Sequence, residues 1–157
     1  MTNYMTKKTF ERLQERFASL LKVEKPAIIK EVKTAKEHGD LRENAEYHAA
    51  RDKQKVILAE IDLLFERLDA VEFIDDLPIP GDRVSVGTVV LLKDEDGTEL
   101  KYTILGPEDS DSDQNIISIL APLAKGLMGK EKGDKVELQL PGKKKIVEII
   151  SVAPYFN

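Results

Sequence analysis

The chain has 157 residues, a mass of 17.7 kDa, a net charge of −5 and no cysteine. The lack of Cys excludes a disulfide framework, a thiolate zinc site and a thiol nucleophile, and the negative balance argues against a simple DNA-coating protein, which is usually basic. No run approaches the ~18 apolar residues that span a bilayer. The first residues, MTNYMTKKTFERLQERF, lack the apolar core of a signal peptide. The expectation is a cytoplasmic protein with no membrane role.

The first elements in chain order are helical. Phe10, Leu13, Phe17 and Leu20 keep a 3/4 spacing, and Ile28, Val32 and Ala35 resume it. Pro26 falls between the two stretches, and proline inside a helix costs ~3 kcal/mol, so a kink or restart is expected there. His38-Gly39-Asp40 makes a turn, with Gly39 suited to a left-handed C-cap. Ala50, Gln54, Ile57, Ile61, Leu64, Leu68 and Val71 then follow at steps of four and three. That is a coiled-coil seam with one polar interruption, at Gln54. A short connection between two apolar seams predicts an antiparallel helical hairpin. With arms of roughly 30 residues, it would be about 45 Å long.

The composition changes near residue 77. One Gly and one Pro precede it; eight Gly and six Pro follow, starting with Pro78-Ile79-Pro80-Gly81. A Pro/Gly-rich stretch at a shift in residue usage marks a boundary. The expected domains are 1–77, with the hairpin tip at 39–43, and 78–157. In the second, Val84–Leu92, Glu99–Leu105, Ile116–Leu120, Lys135–Leu140 and Ile146–Val152 are rich in β-branched residues. Turn signals Asp96-Gly97, Gly133-Asp134 and Pro141-Gly142 separate them. Leu123–Gly129 is the one helix candidate. The class is α+β: a coiled-coil hairpin followed by a small antiparallel sheet packed on a short helix. The acidic run Glu108–Asp113 reads as a solvated loop.

The tip carries the most chemistry. Asp40 with Glu43 three residues later matches a capping box, in which each side chain satisfies a free backbone N–H. The same two carboxylates are hard oxygen donors of the kind Mg²⁺ takes, one or two at a time, beside phosphate ligands. Alone they would make half a site. His38 and His48 flank the turn, and by residue type could join Asp40 and Glu43 around zinc. They lack a close His-pair spacing, and solvent-exposed imidazoles are the simpler reading. Tyr47 and Arg51 follow Glu43 on its helix face. The chain has no P-loop, G-x-S-x-G or H-E-x-x-H pattern.

Thirteen contiguous residues, Gly39-Asp40-Leu41-Arg42-Glu43-Asn44-Ala45-Glu46-Tyr47-His48-Ala49-Ala50-Arg51, closely resemble the hairpin-tip motif of the bacterial transcript-cleavage factors of the Gre family, GreA type. A second stretch looks like the family's C-terminal signature. It comprises Ile117-Ser118, then Ala121-Pro122-Leu123-Ala124-Lys125-Gly126-Leu127-Met128-Gly129-Lys130, then Gly133-Asp134 and Pro141-Gly142. The resemblance covers nearly the whole chain in the same order. One departure stands out: before Pro122 the family usually has a polar residue and then Ser, where this chain has Leu120 and Ala121.

The resemblance implies an accessory factor, not an enzyme, that acts on backtracked bacterial RNA polymerase. It implies that an FKBP-like C-terminal domain docks at the rim of the secondary channel, through the loop carried here by Leu120, Ala121 and Pro122. The hairpin would enter the channel. Asp40 and Glu43 would help hold the second Mg²⁺ of the polymerase and position a water, and the polymerase would then cleave the RNA 3′ end. No cofactor or metal is expected on the factor alone. Lys36, Arg42, Tyr47 and Arg51 are the candidate contacts to RNA or the channel, and a monomer is expected.

The alternative is a Gre-family homologue that enters the same channel and inhibits transcription; its tip would depart from the plain Asp-x-x-Glu pattern kept here. A prolyl isomerase would need an aromatic-lined pocket, and residues 78–157 hold only Tyr102, Tyr155 and Phe156. A plain coiled-coil dimerisation module finds no support in the charged outer faces of the hairpin.

Overall fold

A computed structural model describes residues 2–39 and 44–156. Two compact units emerge: residues 10–70, and residues 1–9 together with 71–157. This division differs from a single cut near 77, because strand pairing ties the chain start to residues just after the hairpin.

In the first unit, α1 (Lys7–Ser19, which enters it at Phe10), a π turn (Leu20–Glu24) and α2 (Lys25–Lys36) form one arm, and α3 (Ala45–Arg67) the other. The first arm buries Leu13, Leu20, Ile28 and Ala35; the second buries Ala50, Ile57 and Leu64. The seam positions Phe10, Phe17, Val32, Gln54, Ile61 and Leu68 are half-buried; Val71, expected to end the seam, lies instead in the strand Val71–Phe73 of the other unit. Two helices cover each other along one line only, so one position per heptad is enclosed and the next is half open. The buried spacing on α3 is seven and seven. On the first arm it is seven, eight and seven, and the long step from Leu20 to Ile28 spans the π turn. There the Lys25 N–H donates to the Leu20 carbonyl, five residues back. One wider turn absorbs the extra residue and keeps the seam on one face. The restart expected at Pro26 takes this form, with Pro26 in the first turn of α2, where its missing N–H is tolerated.

Arg16 joins the two arms. Its Nε and Nη2 donate to the two carboxylate oxygens of Glu60 at 2.8 Å each, and Nη1 donates to Glu24 at 2.6 Å. The hydrogen bond from Arg16 holds the Glu60 carboxyl below its ordinary value, against an opposing push from desolvation.

The second unit contains a five-stranded sheet in the order β5-β4-β3-β7-β6. The strands are β3 (Thr88–Asp94), β4 (Glu99–Leu105), β5 (Ile116–Ser118), β6 (Lys135–Leu140) and β7 (Lys143–Pro154). The sheet is mixed where an antiparallel one was expected: β5 runs parallel to β4, pairing Thr103 with Ile116. The connection through residues 106–115, with its two 3₁₀ turns, is long enough to bring β5 back in that sense. Helix α4 (Pro122–Leu127) packs on β6. Val90, Leu92, Ile104, Leu127, Val147 and Ile149 form the centre of the core. Asp94 closes the β3–β4 turn, its Oδ1 accepting the N–H groups of Asp96 and Thr98 at 2.9 Å each. Lys145 reaches the same carboxylate at 2.9 Å.

The chain start belongs to this unit. Strand β1 (Asn3–Met5) pairs in parallel with β2 (Val71–Phe73). Thr6 caps the start of α1, accepting the Thr9 N–H, and its own hydroxyl donates to Asp109 at 2.7 Å. The Thr6 N–H also points at the Asp109 carboxylate. The acidic run is therefore only partly a solvated loop: Asp109 anchors the chain start, and Asp111 accepts from the Asp113 N–H and from Gln114 Nε2.

Candidate functional site: the hairpin tip

The described residues bracket the tip. Helix α2 ends at Lys36, an exposed residue, and Gly39 follows with φ +133°, a region that favours glycine. The expected sites Asp40, Arg42 and Glu43 lie outside the described residues.

Helix α3 begins at Ala45. Its N-cap is Asn44, with an extended backbone (φ −82°, ψ 96°), and Asn44 Oδ1 accepts the Tyr47 N–H at 3.0 Å. The capping box expected of Asp40 and Glu43 lies outside the described residues. Asn and Asp rank alike as N-caps, but only the amide also has a donor. Asn44 uses it: Nδ2 donates to the Ala35 carbonyl at 2.6 Å, across the hairpin. The sequence carried a signal for this, since Asn is a leading N-cap residue and stands directly before the helix. The nearby Asp-x-x-Glu spacing masked it.

On α3, Tyr47 and Arg51 come together as expected of residues one turn apart, with Arg51 Nη1 3.5 Å from the Tyr47 hydroxyl. Arg51 is exposed and Tyr47 half-buried. The Tyr47 and His48 rings meet edge to face at 5.6 Å. His38 Nδ1 lies 3.9 Å from Glu46 Oε2, with both side chains largely exposed. Among the described residues no group of three or more His, Cys, Asp or Glu side chains could hold a metal ion.

The second candidate region is the loop before α4. The Leu120 N–H donates to Ser118 Oγ at 3.0 Å and the Ala121 N–H to the Ser118 carbonyl at 2.9 Å. This tight turn leaves Leu120 58% exposed. Ala121 is the N-cap of α4 and has no side-chain oxygen to accept a free N–H; Pro122 follows at the first helical position, exposed. No described helix is long and apolar enough to cross a membrane.

Two family sequence models match the chain in succession: "Transcription elongation factor, N-terminal" over residues 3–72, and "Transcription elongation factor, GreA/GreB, C-term" over residues 79–154. The chain belongs to the GreA/GreB family of transcription elongation factors.

Among its relatives is the transcription elongation factor GreA of a Sulfurovum species, 43% identical over 92% of this chain and 90% of that one. The GreA of a Nitratiruptor species is 41% identical over 94% and 91%. A solved structure, the GreA factor homolog 1 of Thermus thermophilus, is 24% identical over 97% of this chain and 99% of its own, with a TM-score of 0.45.

Proposed function

We propose that this factor acts on backtracked bacterial RNA polymerase and stimulates the polymerase's own cleavage of the RNA 3′ end. The observation that carries the reading is the match of the two elongation-factor family models, over residues 3–72 and 79–154, to a chain that holds Asp40-x-x-Glu43 in sequence between α2 and α3. Oxygen donation to a hard cation suits those two carboxylates. With only two such groups, the factor supplies part of a coordination shell and the polymerase supplies the rest. Mg²⁺ held in that shared site would activate water and stabilise charge on the scissile phosphate.

The other residues fit supporting roles. Lys36, Arg42 and Arg51 offer positive charge to RNA phosphates, and Tyr47 offers a ring next to Arg51. The exposed Leu120, with Ala121 and Pro122, forms the surface that docks on the polymerase. The factor works as a monomer in the cytoplasm and binds no metal firmly by itself.

A stalled, backtracked polymerase complex mixed with the purified factor should release short 3′ RNA fragments, and the factor alone should cleave nothing. Asp40→Asn and Glu43→Gln should reduce stimulation by about 10²-fold, the scale of losing one transition-state electrostatic partner. Docking and melting should be unchanged. Parent-like stimulation by both variants at low Mg²⁺ would remove the two acids from the mechanism.

A further inference from the structure

Residues 114–124 are the longest stretch of the chain without a charged side chain, in a protein in which 34% of residues are charged. Burial explains most of its apolar content. Ile117, Ile119, Ala121 and Leu123 pack against the core of the sheet unit. Leu120 does not: its side chain is exposed, and Pro122 two residues on is exposed as well.

The turn that carries Leu120 is fixed on both sides. The Ile119 N–H donates to the Leu105 carbonyl at the end of β4, at 2.9 Å. Ser118 then takes two N–H groups, that of Leu120 on its hydroxyl oxygen and that of Ala121 on its carbonyl. Pro122 locks its own φ, and the Ala121 carbonyl accepts from the Lys125 N–H at 3.0 Å, within α4. The backbone under Leu120 is therefore set before any partner arrives, and little of its freedom is left to lose on contact.

We infer that Leu120 is the anchor of the docking surface and that the polymerase receives it in a nonpolar socket. The inference rests on the docking role proposed for Leu120, Ala121 and Pro122, and adds the chemistry of the surface that meets them. A charged group on the polymerase facing Leu120 would be buried without a partner, because residues 114–124 hold no opposite charge to meet it. Removal of apolar surface from water supplies the attraction instead.

The test titrates the labelled full chain with backtracked bacterial polymerase complexes. Leu120→Ser should weaken binding by about tenfold, the scale of leaving the exposed part of one leucine in water. Leu120→Met keeps volume and nonpolarity and should bind as the parent does. Leu120→Glu and Leu120→Lys should both bind more weakly than Leu120→Ser, since a nonpolar socket rejects either sign of charge. Ile146→Ser, at another exposed apolar residue of the same unit, should bind as the parent does. Thermal melts should be parent-like for all the Leu120 variants, whose side chain lies outside the core.

Parent-like binding by Leu120→Ser overturns the anchor. Tighter binding by either charged variant than by Leu120→Ser overturns the nonpolar socket. A loss in Ile146→Ser equal to that in Leu120→Ser overturns the assignment to this turn. A parent chain that does not bind the polymerase at all overturns the docking reading itself, and the inference with it.

Discussion

In the hairpin, burial comes about once per seven residues on each arm, and every enclosed side chain has half-open seam neighbours. In the sheet unit, ten residues drawn from four strands, α4 and the loop before β3 share one closed core. The hairpin is built from local helical bonds with a thin seam and three-way ion pairing at Arg16. The sheet unit is built from contacts between residues far apart in sequence. Local structures open in parts, whereas a shared core opens as a whole. A locally built hairpin can therefore open in part without disturbing the closed core of the sheet unit.

The sharpest test of this contrast truncates the same side chain in both places. Ile149→Ala, in the closed core, should cost about 4 kcal/mol, near the upper part of the range for buried Ile or Leu. Ile57→Ala, in the seam, should cost about 2 kcal/mol, since open neighbours can close over the gap. Denaturant titration gives the losses, and hydrogen exchange shows which residues open. Equal losses, or loss of protection across both units in the Ile57 variant, would break the comparison.

The chain start gives the next effect. A Cβ at Gly106 would fall 1.8 Å from the Tyr4 carbonyl oxygen, a backbone atom. Gly106→Ala should therefore displace β1 and weaken the Thr6–Asp109 contacts, at a cost of ~2 kcal/mol in overpacking. Residues 3–9 should lose exchange protection while residues 28–35 keep theirs. Protection unchanged at residues 3–9 would show that β1 is not held by this approach.

A pH titration separates the two units further. The hydrogen bond from Lys145 holds the Asp94 carboxyl below its ordinary 3.8, with the Thr98 and Asp96 amides adding to it and desolvation opposing. Such a group stabilises the fold fully above its unfolded value, and that contribution is lost as pH falls through the lower folded value. The same contact raises Lys145 above its ordinary 10.5, so its share is full below that value and is lost as pH rises past it. Asp94→Asn should flatten the acid limb of sheet-unit stability below pH 3.8. An acid limb identical to the parent's would assign that loss to other carboxylates.

The smallest effect concerns α4. Ala121→Ser restores an oxygen at an N-cap that now has none and should stabilise the sheet unit by ~1 kcal/mol. It also restores the family's usual residue beside Leu120. A thermal melt checks the first point, and polymerase binding shows whether docking follows.

The sequence made the periodic elements legible. The 3/4 spacing on either side of Gly39 corresponds to the two arms, and the β-branched runs after Val84 correspond to the strands. The short candidate at Leu123–Gly129 is α4. The tip motif was legible because its residues are contiguous. The π turn was visible only as a disturbance at Pro26, since an eight-residue step between buried positions becomes evident once burial is known.

What the sequence by itself determined is whatever repeats or lies close along the chain: helix periodicity, strand alternation, turn residues and the Asp-x-x-Glu tip. Tertiary structure decided which distant groups met. Asn44 took the cap, with its amide reaching Ala35 on the other arm. Asp109 left the acidic run to hold Thr6, a residue 103 positions away. Asp94 found Lys145 on β7, and β5 joined β4 in parallel. Each choice turns on a partner supplied by another element, and a hydrogen bond or ion pair has no energy to contribute until the fold brings that partner within reach.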